Sequence, residues 1–327
     1  MTARTAKLLT VLTVLLLAAP FAVEAQQTGQ AHHTVGVLMP QSANIDPSYP
    51  AFVEALQLLG YEQHRNLRLL LRSADGKLDR LPALAAELVA ARVDVIVAVN
   101  TPGARAAIDA TKQIPIVMTR VGDPVGTGFV SNLARPGGNV TGVSMMVAEL
   151  AAKRLALLKE VASARRTAVM FNPDDPITVP QLQDAERAAP LLNIEIRLFP
   201  VRTTAHLPET FRQMVAWRAD SALWLGGQQQ AFQSPTIELA AKHRLPVMVA
   251  TRQDVEAGGL ISYFPDVSEV YRRTAVYVDR ILRGAKPGDL PVEQPTKFEL
   301  VINLRTAKQI GLTIPPNVLA RADRVIK

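Results

Sequence analysis

The sequence contains no cysteine among its 327 residues. That excludes disulfides, zinc–thiolate centres, iron–sulfur clusters, thiol nucleophiles and a lipid-modified N-terminal cysteine, so the fold is held noncovalently. Long apolar runs are also missing: the longest, 8–19, has twelve residues, and crossing a ~30 Å hydrocarbon core takes about 20 in helix. No run of five or six like charges occurs, so the net charge of +7 reads as a solvated basic surface and not as a nucleic-acid interface. Aromatic residues make up only 5%. What is present is an ordinary globular balance, 48% apolar and 20% charged, which excludes wholesale disorder and a multi-span membrane protein. At roughly 100 to 200 residues per domain, the length suggests about two domains.

Residues 1–25 read as a segment apart from the fold. Arg4 and Lys7 form a positive start, the apolar stretch 8–19 follows, Pro20 breaks it, and Val23-Glu24-Ala25 places small residues at a cleavage position. The expectation is a Sec-type signal peptide cut after Ala25 and a soluble exported protein, periplasmic in a double-membrane bacterium. Cleavage would leave 327 − 25 = 302 residues with charge +7 − 2 + 1 = +6.

Beyond His33 the chain alternates short β-branched runs with amphipathic stretches. Strands are expected at 35–39, 67–71, 93–99 and 116–119, with helices at 50–59, 81–92 and 103–111 between them. Near-continuous apolar strands imply burial on both faces, hence a parallel sheet between helices. After 139–142 the rhythm restarts, with helices at 148–161, 181–189, 207–218 and 236–243 and strands at 167–171, 194–199, 221–225 and 246–249. Two such blocks predict an α/β protein of two Rossmann-like, doubly wound lobes. The tail, with a strand at 260–263, a helix at 268–283 and a strand at 298–302, reads as elements returning to one lobe and then the other.

Several catalytic patterns break down on inspection. Gly126-Thr127-Gly128-Phe129-Val130-Ser131 resembles a dinucleotide fingerprint, but it ends in Ser and follows the fourth strand instead of the first. Gly142-Val143-Ser144 starts a nucleophile elbow, yet Met146 occupies the place of the second glycine. No Walker A sequence occurs, and His32, His33, His64, His206 and His243 show neither i, i+4 pairing nor zincin spacing. No cofactor, no metal and no catalytic residue is therefore expected.

Polar residues gather instead just past the strands, where ligands of open α/β sheets bind and helix amino ends turn N–H groups into the crevice. In the first half these are Gln41, Ser42 and Asn44, then Asn100 and Thr101, then Thr119, Arg120 and Asp123. In the second half they are Asn172 and Asp174, then Gln228 after Gly226-Gly227, then Thr251 and Arg252. Ser, Thr, Asn and Asp are favoured as caps and turn formers at such places anyway, and their concentration at every strand end is what points to a cleft. A ligand carboxylate could rest on the helix amino end at Thr101 or be clamped by Arg252, and Asp123 could meet an ammonium. Tyr49, Phe232 and Tyr263 could supply an apolar wall, with core packing an equal reading for Phe232 and Tyr263.

Four segments carry a family resemblance. They are Arg80-Leu81-Pro82-Ala83-Leu84-Ala85-Ala86-Glu87-Leu88-Val89, the stretch from Val121-Gly122-Asp123-Pro124 to Gly137-Gly138-Asn139-Val140-Thr141-Gly142, Glu256-Ala257-Gly258-Gly259-Leu260-Ile261-Ser262-Tyr263, and Pro291-Val292-Glu293-Gln294-Pro295 continuing to Asn303. They resemble the ABC transporter substrate-binding proteins that include tryptophan- and tyrosine-binding members, and the likeness runs from Val35 to the C-terminus. It implies a type I periplasmic-binding-protein fold, two lobes joined by three crossovers around a ligand cleft. It also implies a small-molecule solute delivered to an ABC permease in the inner membrane, with cleft positions after Met39, at Asn100-Thr101, Gly122-Asp123, Asn172 and Gly226. On this reading residues 1–25 are the signal peptide, 32–145 with 252–290 the N-terminal lobe, and 146–251 with 291–327 the C-terminal lobe. The expected solute is an aromatic or branched amino acid, with a simple aromatic carboxylate as competitor; the protein is expected to be a monomer that binds no nucleic acid. Two other classes compete: a nucleotide-dependent enzyme on similar lobes, disfavoured by the missing phosphate fingerprint, and a repressor-type effector module, which would need a DNA-binding motif where the export signal stands.

Overall fold

The computed structural model describes residues 32–42, 46–145, 147, 150–175, 177–226 and 230–327; the expected signal peptide, Asn44 and Gln228 lie outside them. The first sheet is built from β1 (His33–Met39), β2 (Leu67–Ser73), β3 (Val95–Val99), β4 (Ile116–Val121) and β5 (Val140–Ser144). All its pairings are parallel and the order is β2-β1-β3-β4-β5. Alternate side chains serve two cores. Val35, Val37 and Met39 of β1 face the layer of α1 (Pro50–Leu58), while Leu38 joins the layer of α2 (Leu81–Ala90) and α3 (Asn100–Ala110). The period-2 geometry of a strand buried on both faces requires this division.

The second half repeats the plan. β6 (Arg166–Phe171), β7 (Glu195–Pro200), β8 (Ser221–Trp224), β9 (Val247–Val249) and β10 (Ile261–Pro265) lie in the order β7-β6-β8-β9-β10, the same 2-1-3-4-5 winding as the first sheet. β11 (Phe298–Asn303) pairs antiparallel with β10, and β12 (Arg324–Ile326) closes the edge. Helices α4 (Leu150–Ala162) and α5 (Thr178–Leu191) cover one face, and α6 (Leu207–Ala216) and α7 (Gln230–His243) cover the other. α8 (Arg252–Glu256) begins on a capping box, in which Thr251 and Asp254 bond each other's backbone N–H.

The helix after the fifth strand of each sheet packs on the opposite lobe. α4 follows β5 but packs in the second lobe's core, and α9 (Val267–Leu282) follows β10 but lays Val270, Tyr271, Ala275, Tyr277, Val278 and Ile281 into the first lobe's core. Residues 292–293 then run beside β5, where Glu293 exchanges backbone hydrogen bonds with Gly142 and Ser144, before the chain returns at β11. The chain therefore crosses three times, and the expected boundaries need correction. Residues 252–265 belong to the second lobe because β10 takes its hydrogen bonds from β9 and β11, and 291–293 stay with the first.

β5 was not among the expected strands. It has only five residues, interrupted by Gly142, which is glycine because φ is 138° and a Cβ would collide with the backbone of Met118 on β4. α8, β12, α10 (Leu304–Gln309) and α11 (Pro316–Leu319) are likewise too short to impose a readable period. Among the described residues no helix is long and apolar enough to cross a membrane.

Candidate ligand-binding cleft

In a 2-1-3-4-5 sheet the winding reverses between the first and third strands, and the loops leaving those strands diverge to open a crevice at their carboxyl ends. In the first lobe this places the residues after β1 and β3 together, and in the second those after β6 and β8. Asn100 opens α3 with a left-handed backbone (φ 59°), and Arg120 is also left-handed (φ 61°) where β4 slips register against β5 between Thr119 and Val121. Such backbone costs about 1 to 3 kcal/mol for a non-glycine residue and persists where surrounding contacts enforce it.

At Arg120 those contacts are visible. Asp46 accepts hydrogen bonds from Arg120 Nη1 (2.6 Å) and from Tyr271 Oη (2.8 Å), and the Arg120 and Asp46 side chains are each only 12% exposed. The carboxylate thus joins the loop after β1, the end of β4 and the exchanged helix α9. Tyr49 stands edge-on to Tyr271 at 6.1 Å and 6.0 Å from Phe52, and burial pushes its hydroxyl pKa up to about 12. Tyr49 is thereby placed at the edge of the first lobe's core, half-buried. Ser42 is half-buried nearby in sequence, Gln41 is exposed, and Asn100 and Thr101 occupy the first turn of α3, both half-buried.

The remaining expected contacts divide. Thr119 is fully buried beneath α9 with its hydroxyl 2.9 Å from that of Thr274, so it is a packing residue. Asp123 spends a carboxylate oxygen on Gly126 N (2.8 Å) and its carbonyl on Thr127, closing a tight turn. Asn172 Oδ1 accepts from Asp174 N (3.0 Å), and Asp175 Oδ1 from Ile177 N (3.1 Å), two successive Asx turns that lead into α5. Gly226 N donates to Gln181 Oε1 (2.9 Å). Arg252 is engaged with two carboxylates of its own chain. It is the first residue of α8, half-buried, paired with Glu256 at 3.0 Å and Glu299 at 3.5 Å. Phe232 packs against Trp224 in the second lobe's core. Tyr263 stacks on Phe298 (5.5 Å, 13° between planes) in the paired crossover strands and borders both lobes' cores.

Below the crossover lies Arg154 of α4, 1% exposed, which donates to Tyr263 O (3.0 Å) and Ala250 O (3.3 Å). Burial lowers its pKa to about 10, still charged at neutral pH, and it fastens α4 to the two strands beside the crossover. Across the cleft the lobes touch. Ile177, entering α5, packs against the first lobe's core at Gly122, just past β4. A Cβ at Gly122 would collide with Ile177 and stand 3.0 Å from Val147 Cγ2. Asp46, Tyr271 and Ile177 escaped the sequence reading, since each is recruited from a loop or helix far away in the chain. Among the described residues no group of three His, Cys, Asp or Glu gathers that could hold a metal.

The two repeated lobes, the three crossings and the crevice at the strand ends define a type I periplasmic-binding-protein fold. The sequence matches the ABC transporter substrate binding protein family over residues 35–326, and the chain belongs to that family. A tyrosine-binding protein of Clostridioides difficile (strain R20291) is 27% identical over 272 residues, 82% of this chain and 78% of its own length. A Streptococcus pneumonia ABC domain crystallised in complex with L-Trp superposes with TM-score 0.82 at 26% identity, covering 90% of this chain and all of its own (100%). The ligand-free, open structure of a Clostridium difficile substrate binding protein superposes less closely, TM-score 0.74 at 25% identity, over 90% of this chain and 99% of its own.

Proposed function

We propose that this chain is the extracytoplasmic solute receptor of an ABC importer, exported by the segment 1–25 and acting as a monomer. It captures an aromatic amino acid between its lobes, closes by hinge motion and delivers the solute unaltered to an inner-membrane permease. The contact of Ile177 with Gly122 across the crevice is the observation that carries this reading, because it joins the two lobes at the strand ends where the solute would be enclosed. The named specificities of the tyrosine-binding relative and the L-Trp complex favour an aromatic side chain. In this reading the solute carboxylate lies at the amino end of α3 beside Asn100 and Thr101, and the ring lies near Tyr49. Arg252 takes no part.

A thermal-shift and calorimetric screen of the exported chain against L-tryptophan, L-tyrosine, L-leucine and 4-hydroxybenzoate tests the proposal. One of the aromatic amino acids is expected to raise the unfolding midpoint, since a ligand at 100 times its Kd stabilises by about 2.7 kcal/mol. Mass spectrometry should recover it unchanged. Binding of 4-hydroxybenzoate alone, or chemical conversion of the solute, contradicts the reading.

A further inference from the structure

Two of the polar residues at the strand ends have their side chains engaged in shaping backbone. In the first lobe Asp123 accepts from Gly126 N, and a Cβ at Gly126 would displace that carboxylate from the turn. The turn fixes the position of Gly122, the residue before it. In the second lobe the consecutive Asx turns of Asn172 and Asp175 fix Ile177, and Thr178 reinforces them by donating its hydroxyl to Asp175 O (2.7 Å). Each lobe thus presents one rigid feature to the other: a notch without a Cβ at Gly122, walled by Val147, and a branched apolar knob at Ile177 that fills it. Gly122 carries no positive φ, so its lack of a side chain answers to the approach of Ile177 and not to backbone conformation.

We propose that Ile177 and Gly122 form an interlobe latch that sets how far the cleft closes, and that Asp123, Asn172 and Asp175 are positioning residues for it. The latch rests on the hinge-closure reading and adds to it a solute-independent contribution: it favours the closed form whichever molecule lies in the cleft. Truncating Ile177 therefore weakens every solute by a similar factor, roughly 10-fold for an isoleucine side chain's burial, without changing their rank order. A methyl at Gly122, which would collide with Ile177 Cδ1 and stand 3.0 Å from Val147 Cγ2, forces the end of the Ile177 side chain out of the notch and so weakens closure. Removing the opposing bulk at Ile177 relieves that collision.

The absence of native cysteine allows a clean readout. Leu58 on α1 and Leu191 on α5 are highly exposed, lie on different lobes and are remote in sequence from the latch, so Leu58→Cys/Leu191→Cys carries a spin-label pair that reports the interlobe distance. Double electron–electron resonance is then measured with and without L-tryptophan in this background, and with Gly122→Ala, Ile177→Ala and both together. The expected result is a short-distance population that Gly122→Ala depletes and the double variant restores, a non-additive cycle. Ile177→Ala should lower the short population, and the circular dichroism and unfolding midpoint of all variants should stay close to those of the labelled parent. Identical distance distributions in the parent and Gly122→Ala, additive effects in the cycle, or a parent that shows only the long distance under both conditions would each overturn the latch. If L-tryptophan and L-tyrosine leave the unfolding midpoint unmoved while the distances follow the expected cycle, the amino-acid reading fails and the latch stands.

Discussion

Asp46 shows how one residue can organise a cleft wall. Its carboxylate receives Arg120 and Tyr271 together, and both ionic partners are withdrawn from solvent. Replacing one member of such a pair leaves a buried charge without its counter-ion, whereas replacing both with apolar groups is often tolerated. Asp46→Ala is expected to cost about 3 kcal/mol in urea unfolding, with a substantial part recovered in Asp46→Ala/Arg120→Met. Equal losses in the single and double variants would show that Arg120 does not depend on Asp46. Residue type foretold little of this. An Asp in a loop and an Arg at a strand end have many partners available, and α9 places Tyr271 between them only after the chain has crossed twice. Arg252 makes the complementary point: it has the chemistry of a carboxylate clamp, but Glu256 one helical turn away and Glu299 on a neighbouring strand engage it.

At the scale of elements, α9 and the return segment are joined by Arg273 and Glu293, whose two hydrogen bonds measure 2.8 and 2.6 Å. The hydrogen bond from Arg273 holds the Glu293 carboxyl below its ordinary value of 4.5. A carboxyl whose pKa is lower in the folded than in the unfolded state stabilises fully above the unfolded value and loses that contribution as pH falls below it. Stability is thus expected to decline below pH 4.5 as Glu293 protonates, and to decline less steeply in Arg273→Gln, read from urea midpoints between about pH 7 and about pH 3. A wild type and variant with parallel pH profiles would remove this pair from the account. Strands such as β1 and β3 were legible because burial on both faces demands uninterrupted apolar residues. β5, α8 and β12 were not: β5 is interrupted by Gly142, and α8 and β12 are short elements without a continuous apolar run, so they owe their form to neighbours.

The whole molecule is two copies of one winding that exchange their last helices. The first lobe's core receives six buried residues of α9, among them Tyr271 and Tyr277, which are the largest apolar side chains it buries completely. A fragment of residues 32–145 alone would leave that face of the sheet in water. It is expected to lack a cooperative urea transition, and fusing 266–293 to it through a flexible linker should restore one. Cooperative unfolding of 32–145 alone would show that α9 is dispensable to the lobe. The exchange also bears on mechanism, since two of the three crossings adjoin the paired strands β10 and β11, where a rotation of one lobe against the other would be absorbed.

Sequence alone determined the layered α/β class, the doubling of the lobes and the strand ends at which a crevice opens, because hydrophobic period and the handedness of β-α-β winding are local properties. It also carried the family, in segments long enough to be specific. Tertiary structure alone decided that Asp46, Arg120 and Tyr271 meet, that Thr119 lies beneath α9, and which lobe owns 252–265. The wall built on Asp46 depends on a contact between residues more than a hundred positions apart, Asp46 with Tyr271, and no local pattern encodes it.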